Sequence, residues 1–99
     1  MSGKIVQVVA RVTAKSEKAS DVASILRELV GPTRKETGCV SYRLFQNNSD
    51  PADFVFIEEW ASDAAIDAHL GTAHLHAALG KAMPHLTKAP DICRFSLLE

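Results

Sequence analysis

The chain has 99 residues, 46% hydrophobic and 23% charged, with a formal net charge of -1. This leaves room for one domain (1–99) and one core, argues against disorder, and offers no Lys/Arg block to neutralise a phosphate backbone, so no nucleic acid is expected as partner. The apolar runs fall far short of the ~20 residues a membrane helix needs, so no membrane partner is expected either. Met1-Ser2-Gly3-Lys4 leads straight into a strand-like run with no signal peptide visible, and a cytoplasmic location is expected.

Ile5 to Val12 is rich in β-branched residues and reads as a first strand. Ser16 offers an N-cap for a helix in which Val22, Ile25, Leu26, Leu29 and Val30 form one apolar stripe, and Gly31-Pro32 predicts its stop or a sharp kink. Cys39 to Gln46 reads as a second strand and Phe54 to Trp60 as a third. The turn cluster Asn47-Asn48-Ser49-Asp50-Pro51 joins them as a hairpin. Ser62-Asp63 starts a short helix to about Leu70, Gly71-Thr72 breaks and recaps it, and a further helical stretch carries Leu75, Ala78, Leu79, Ala82 and Met83 to Pro84. Asp91 to Leu98 reads as a fourth strand.

The order β-α-β-β-α-β, with its second helix broken, predicts an α+β ferredoxin-like fold: a four-stranded antiparallel sheet with the helices on one face. In the usual strand order Cys39 and Cys93 lie on opposite edges, too far apart to bond within one chain. The strands are apolar on both sides: Val6, Val8, Ala10 and Val12 against Ile5 and Val9, and Phe54 and Phe56 against Val55 and Ile57. Such strands need cover on both faces, and one chain has helix enough for one. A homodimer packed sheet to sheet is the expected second cover.

The five glycines form neither G-x-G-x-x-G nor a P-loop, so no bound NAD, flavin or nucleotide cofactor is expected. The histidines 69, 74, 76 and 85 miss the four-residue step that puts two imidazoles on one helical face, so no metal is expected, although His69 and His74 straddle a helix break that leaves a joint site open. Topology predicts a cluster between sheet and helices. Trp60 and Glu58 share a face of the third strand, His69 follows Ile66 by three residues, His74 flanks the Leu75/Leu79 stripe, and Tyr42 sits on the neighbouring strand. Each has a plainer role available: Trp60 and Tyr42 as core, Glu58 as an arginine's ion-pair partner, the histidines as packing or capping groups. Only their convergence points to a small-molecule site.

Three segments carry a family resemblance: Glu36-Thr37-Gly38-Cys39-Val40-Ser41-Tyr42, Pro51-Ala52-Asp53-Phe54-Val55-Phe56-Ile57-Glu58-Glu59-Trp60, and His69-Leu70-Gly71-Thr72-Ala73-His74. Together and in this order they resemble the antibiotic biosynthesis monooxygenase family, especially its short quinol-monooxygenase-like members, over Ile5 to Leu98. The resemblance implies a dimeric α/β barrel that oxidises a small phenolic or quinol-like aromatic substrate with dioxygen, without metal or flavin. It implies that Trp60, His69, His74, Glu58 and Tyr42 line the pocket; because an imidazole suits deprotonation of a phenol, His69 or His74 is expected as catalytic base, with Trp60, Tyr42 and Glu58 binding substrate. The stretch Ser62-Asp63-Ala64-Ala65-Ile66 lacks the tyrosine of the polyketide-oxidising members, and their arginine has no clear counterpart, which argues against a large anthrone-like substrate. Ile5 to Val12 lacks the asparagine of the haem-degrading members. An isomerase of small hydroxylated signalling molecules and a non-catalytic ligand-binding stress protein are the alternative readings.

Overall fold

In a computed structural model, which describes residues 4–99, four strands and three helices assemble as a sheet with one covered face. The strands are β1 (Val6–Thr13), β2 (Cys39–Asn47), β3 (Asp50–Trp60) and β4 (Asp91–Phe95). The helices are α1 (Ala19–Arg34), α2 (Asp63–Leu70) and α3 (Ala73–Ala82). The sheet order is β2-β3-β1-β4 with every pairing antiparallel, the expected α+β ferredoxin-like arrangement. Cys39 and Cys93 are free and lie on opposite edge strands, as expected. The reading of the first three residues lies outside the described ones. No described helix is long and apolar enough to cross a membrane.

Two-residue alternation sends Val8, Ala10 and Val12 of β1, and Phe54, Phe56, Glu58 and Trp60 of β3, toward the helices, where all are buried. From α1, Val22, Leu26 and Leu29 meet them; Ile66 of α2 and Leu75 and Ala78 of α3 complete the core. Ser62 caps α2 by accepting from the Ala65 amide at 3.1 Å, and Gly71-Thr72 divides α2 from α3 as the sequence suggests.

Four expectations are corrected. Helix α1 does not stop at Gly31-Pro32 but runs to Arg34. Pro32 lies in the last turn, so its missing N–H costs only the bond to the carbonyl of Glu28, an exposed residue. Burial of Thr33 and the bond from Arg34 Nε to the Tyr42 carbonyl (3.0 Å) hold that turn in place. Ser16 does not cap α1: it opens a short 3₁₀ turn (Ser16–Lys18) that precedes the helix. The hairpin turn contracts to Asn48-Ser49, because β3 starts at Asp50, while β4 ends at Phe95 rather than Leu98.

A candidate active site built on one carboxylate

The residue that organises the site is Glu36, in the connection between α1 and β2. Its Oε2 lies 2.8 Å from His69 Nδ1 and 2.6 Å from His74 Nε2. An ionised carboxylate only accepts, so both nitrogens donate to it. The histidines come from different helices, His69 near the end of α2 and His74 in the first turn of α3. The break at Gly71-Thr72 folds α3 back so that both reach one oxygen. Thr72 Oγ1 secures the break by donating to the His69 carbonyl at 2.8 Å.

Gly38 makes the approach of the 36–38 segment to α2 possible. Its φ is +86°, and a Cβ there would come within 2.6 Å of the Ala65 Cβ. The Gly38 carbonyl then accepts from the Ala61 amide at 2.8 Å, fastening the start of β2 to the end of β3.

In the neutral ring that donates from Nδ1 to Glu36, the remaining nitrogen of His69, Nε2, is the lone-pair acceptor, and it forms no hydrogen bond among the described residues. The His69 side chain is 5% exposed. Its ring lies 4.8 Å from that of Trp60 and 5.6 Å, edge-on, from that of Tyr42, centroid to centroid. These two aromatic neighbours and the Glu36 bond fix the ring plane.

Of the residues the sequence proposes for the site, His69, Tyr42 and Glu58 line one internal cavity between sheet and helices, with Leu26, Leu29, Leu75 and Leu79 among the apolar walls. Trp60 does not line it. Fully buried behind, the indole packs on His69 and donates from Nε1 to Glu58 Oε1 at 2.8 Å. His74 also lies outside the cavity, bordering a shallow groove between α1 and α3, and reaches the site only through Glu36. Glu58 is not an arginine's partner; the indole takes that place. Glu36 was missed as a site residue because a charge at a helix end reads as solvated surface, and only tertiary contact shows what it holds.

The two carboxyls differ in surroundings. Burial raises the Glu58 pKa to about 7 despite the Trp60 bond, with the nearby Glu36 charge adding to the rise. Burial, reinforced by the Glu58 charge, also pushes the Tyr42 hydroxyl well above its ordinary range, so it stays a hydrogen-bond donor.

The cavity is about 30 Å³, space for one or two waters or a diatomic gas but not for an aromatic ring. At its rim are Leu70 and Ile92, 36% and 42% exposed. A larger groove of about 550 Å³ lies between α1 and β2, lined by Arg27, Arg34, Arg43 and Phe45 among others. It contains no histidine and no carboxylate, so the groups suited to proton transfer converge at the smaller cavity.

A split β-α-β sheet with an acid-base cluster beneath its helices defines a class of small ferredoxin-like proteins. Within that class, the family model described as antibiotic biosynthesis monooxygenase matches residues 5–81, and the chain belongs to this family. It is 32% identical over 90 residues to "Putative monooxygenase YcnE" of Bacillus subtilis, covering 91% of this chain and 95% of that protein. It is 27% identical over 92 residues to the uncharacterized protein sll1783 of Synechocystis, covering 93% of this chain but only 63% of that relative's length. The crystal structure of PA3566 from Pseudomonas aeruginosa superposes with a TM-score of 0.89 at 32% identity, covering 100% of this chain and 99% of that one.

Proposed function

We propose that the protein is a monooxygenase that oxidises a small phenolic or quinol-like substrate with dioxygen and needs no resident cofactor, His69 serving as general base and Glu36 as the residue that positions it. The observation that carries this reading is the shared Glu36 oxygen, which commits the His69 proton to Nδ1 and leaves Nε2 as base on a ring that lines the cavity. Family membership supports the oxygen chemistry.

Ground-state dioxygen is a triplet and reacts slowly with closed-shell molecules, but an electron-rich phenolate can pass it one electron. His69 Nε2 takes the phenolic proton, and such a base contributes typically ~10²–10⁴-fold. The resulting radical pair closes to a hydroperoxide on a ring carbon. Loss of that carbon's proton with cleavage of the O–O bond leaves a new carbonyl and releases water. Phenol and dioxygen thus give quinone and water, the substrate itself supplying all four electrons. Tyr42 supports this as a donor to the ring oxygen, and Glu58, with a pKa near neutrality, as the group that returns a proton to the departing oxygen.

The substrate ring needs more volume than the closed cavity has. The rim side chains of Leu70 and Ile92 are the ones free to move aside, with the α2–α3 break at Gly71 as the hinge. The uncovered face of the sheet carries Val9, Phe45, Val55, Ile57, Cys93 and Phe95, and this apolar surface supports a sheet-to-sheet homodimer of chains that each comprise one domain.

Chelator-treated protein in an oxygen electrode, offered a panel of phenols and quinols, tests the reading. Oxygen uptake matched by quinone and water, above autoxidation and absent in His69→Ala, is the expected result. Rearrangement of a substrate without oxygen would make the protein an isomerase, and stoichiometric binding without turnover a ligand carrier. A charge on the uncovered face, as in Ile57→Lys, is expected to convert a dimer to monomer in sedimentation; a wild type that sediments only as monomer would remove the homodimer.

A further inference from the structure

We propose that Glu36, His69 and His74 bind one divalent first-row transition-metal ion of the Zn²⁺ kind, and that filling this site shuts off the base at His69. The second half rests on the function proposed above; the first half does not.

Three donors from three segments converge: Glu36 Oε2, His69 Nδ1 and His74 Nε2 all lie within 4.8 Å of one another. Two imidazole nitrogens and one carboxylate oxygen form a donor set that suits Zn²⁺ and its neighbours rather than Ca²⁺ or Mg²⁺, which want oxygen ligands. Around a tetrahedral ion with bonds of about 2.0–2.1 Å, donor atoms sit roughly 3.3 Å apart. The observed 2.8 and 2.6 Å contacts to Glu36 would widen by about half an ångström or slightly more as an ion replaces the two bridging protons. His74 can make that adjustment. Its side chain is 29% exposed and stands at the start of a helix, whereas the His69 side chain, 5% exposed, is locked by Trp60 and Tyr42. The same exposure gives the ion a way in and leaves a fourth position open to water.

The consequence for the base follows from proton counting. A neutral imidazole that gives the lone pair of Nδ1 to a metal keeps its one proton on Nε2. His69 Nε2, the proposed proton acceptor, would become an N–H donor. The ion swaps the tautomer of the buried ring and so turns a base into a non-base.

The test is equilibrium dialysis and calorimetry of chelator-treated full-length protein with Zn²⁺, and visible spectroscopy with Co²⁺ in its place. The proposal expects one ion per chain and the d–d absorption of tetrahedral Co²⁺. It also expects an affinity loss on the order of 100-fold in His74→Ala, a substitution at a partly exposed position. A His76→Ala/His85→Ala variant, which removes the remaining histidines, should bind as the wild type does. Nitrogen-detected imidazole spectra should show the His69 proton leaving Nδ1 for Nε2. Absence of binding, binding indifferent to His74→Ala, or binding lost with His76 and His85 would overturn the site. Zn²⁺ should abolish phenol oxidation over the same concentration range that fills it. Occupation without loss of turnover would overturn the switch and the role of His69 as base together. Metal-free protein inert toward every phenol would remove the proposed activity while dialysis and Co²⁺ still decide the site.

Discussion

Glu58 and Glu59 are consecutive residues of one strand, and the sheet makes them different chemical groups. Glu58 faces the helices, buried, held by one indole N–H, with its pKa raised to about 7. Glu59 faces the other way, where the Ser41 hydroxyl (2.9 Å) and the Gln7 amide (3.3 Å) donate to it and hold its pKa below the usual value. The pleat alone separates them. One face of β3 therefore carries a carboxyl that can exchange protons near neutral pH, and the other a carboxylate that titrates only in more acidic solution. The acid-base cluster proposed for chemistry lies on the Glu58 side, under the helices, and the proposed dimer surface on the Glu59 side.

The largest test of this contrast is kinetic. His69→Ala should lower kcat/KM for a phenolic substrate by ~10²–10⁴-fold, while Glu59→Gln on the opposite face should leave it within about twofold of the wild type, its lost bonds being worth only ~1 kcal/mol to folding. Equal losses in both variants would erase the distinction between the faces.

The next test is the pH dependence of stability. Glu58 binds its proton more tightly in the folded chain than in the unfolded one, where its reference value is 4.5. Its penalty is therefore absent below about pH 4.5, grows as pH rises, and reaches roughly 3 kcal/mol above pH 7. Glu58→Gln keeps an acceptor for the Trp60 indole and carries no charge. Denaturant unfolding should show it flattening that slope and gaining up to roughly 3 kcal/mol above pH 7. Glu59 has the opposite sign: its contribution is present above pH 4.5 and lost as pH falls through its lowered folded value. A Glu58→Gln variant no more stable at pH 8 than the wild type would show that the carboxyl is not desolvated.

Gly38→Ala should cost ~1–3 kcal/mol, through the positive φ and the Ala65 Cβ in its way, measured as a lowered Tm. Its displacement of α2 should also reduce turnover, which ties the close approach to the site. Smallest is Arg94→Ala. Arg94 on β4 donates to Asp63 (2.9 Å) and Asp67 (2.7 Å) of α2 across the exposed rim, and its removal should cost under ~1 kcal/mol. A larger loss would mean that this rim is drier and more rigid than its exposed carboxylates indicate.

Much of this protein is legible in its residues because local periodicity is a local property. Val8, Ala10 and Val12 at two-residue steps, and Val22, Leu26 and Leu29 at three and four, report which side of each element is buried before any partner is known. The same arithmetic puts Glu58 with Trp60 and His69 with Ile66, as found. Pro32 misleads because the cost of a proline depends on which carbonyl loses its bond, and Glu28 lies on the exposed side of α1. Spacing along a helix hides the joint contact of His69 and His74, since the α2–α3 break is what turns them toward one oxygen.

What the order of residues determined by itself was the buried faces, which follow from patterns repeated within single elements, the fold, which follows from the order of those elements, and the family, which three motifs mark by resemblance. Only tertiary structure decided that Glu36, 33 residues before His69 and 38 before His74, is the common partner of both, that Trp60 stands behind the cavity and not in it, and that Glu58 answers to an indole. A hydrogen bond lasts over a few ångströms of space and is blind to distance along the chain, so no periodicity announces it.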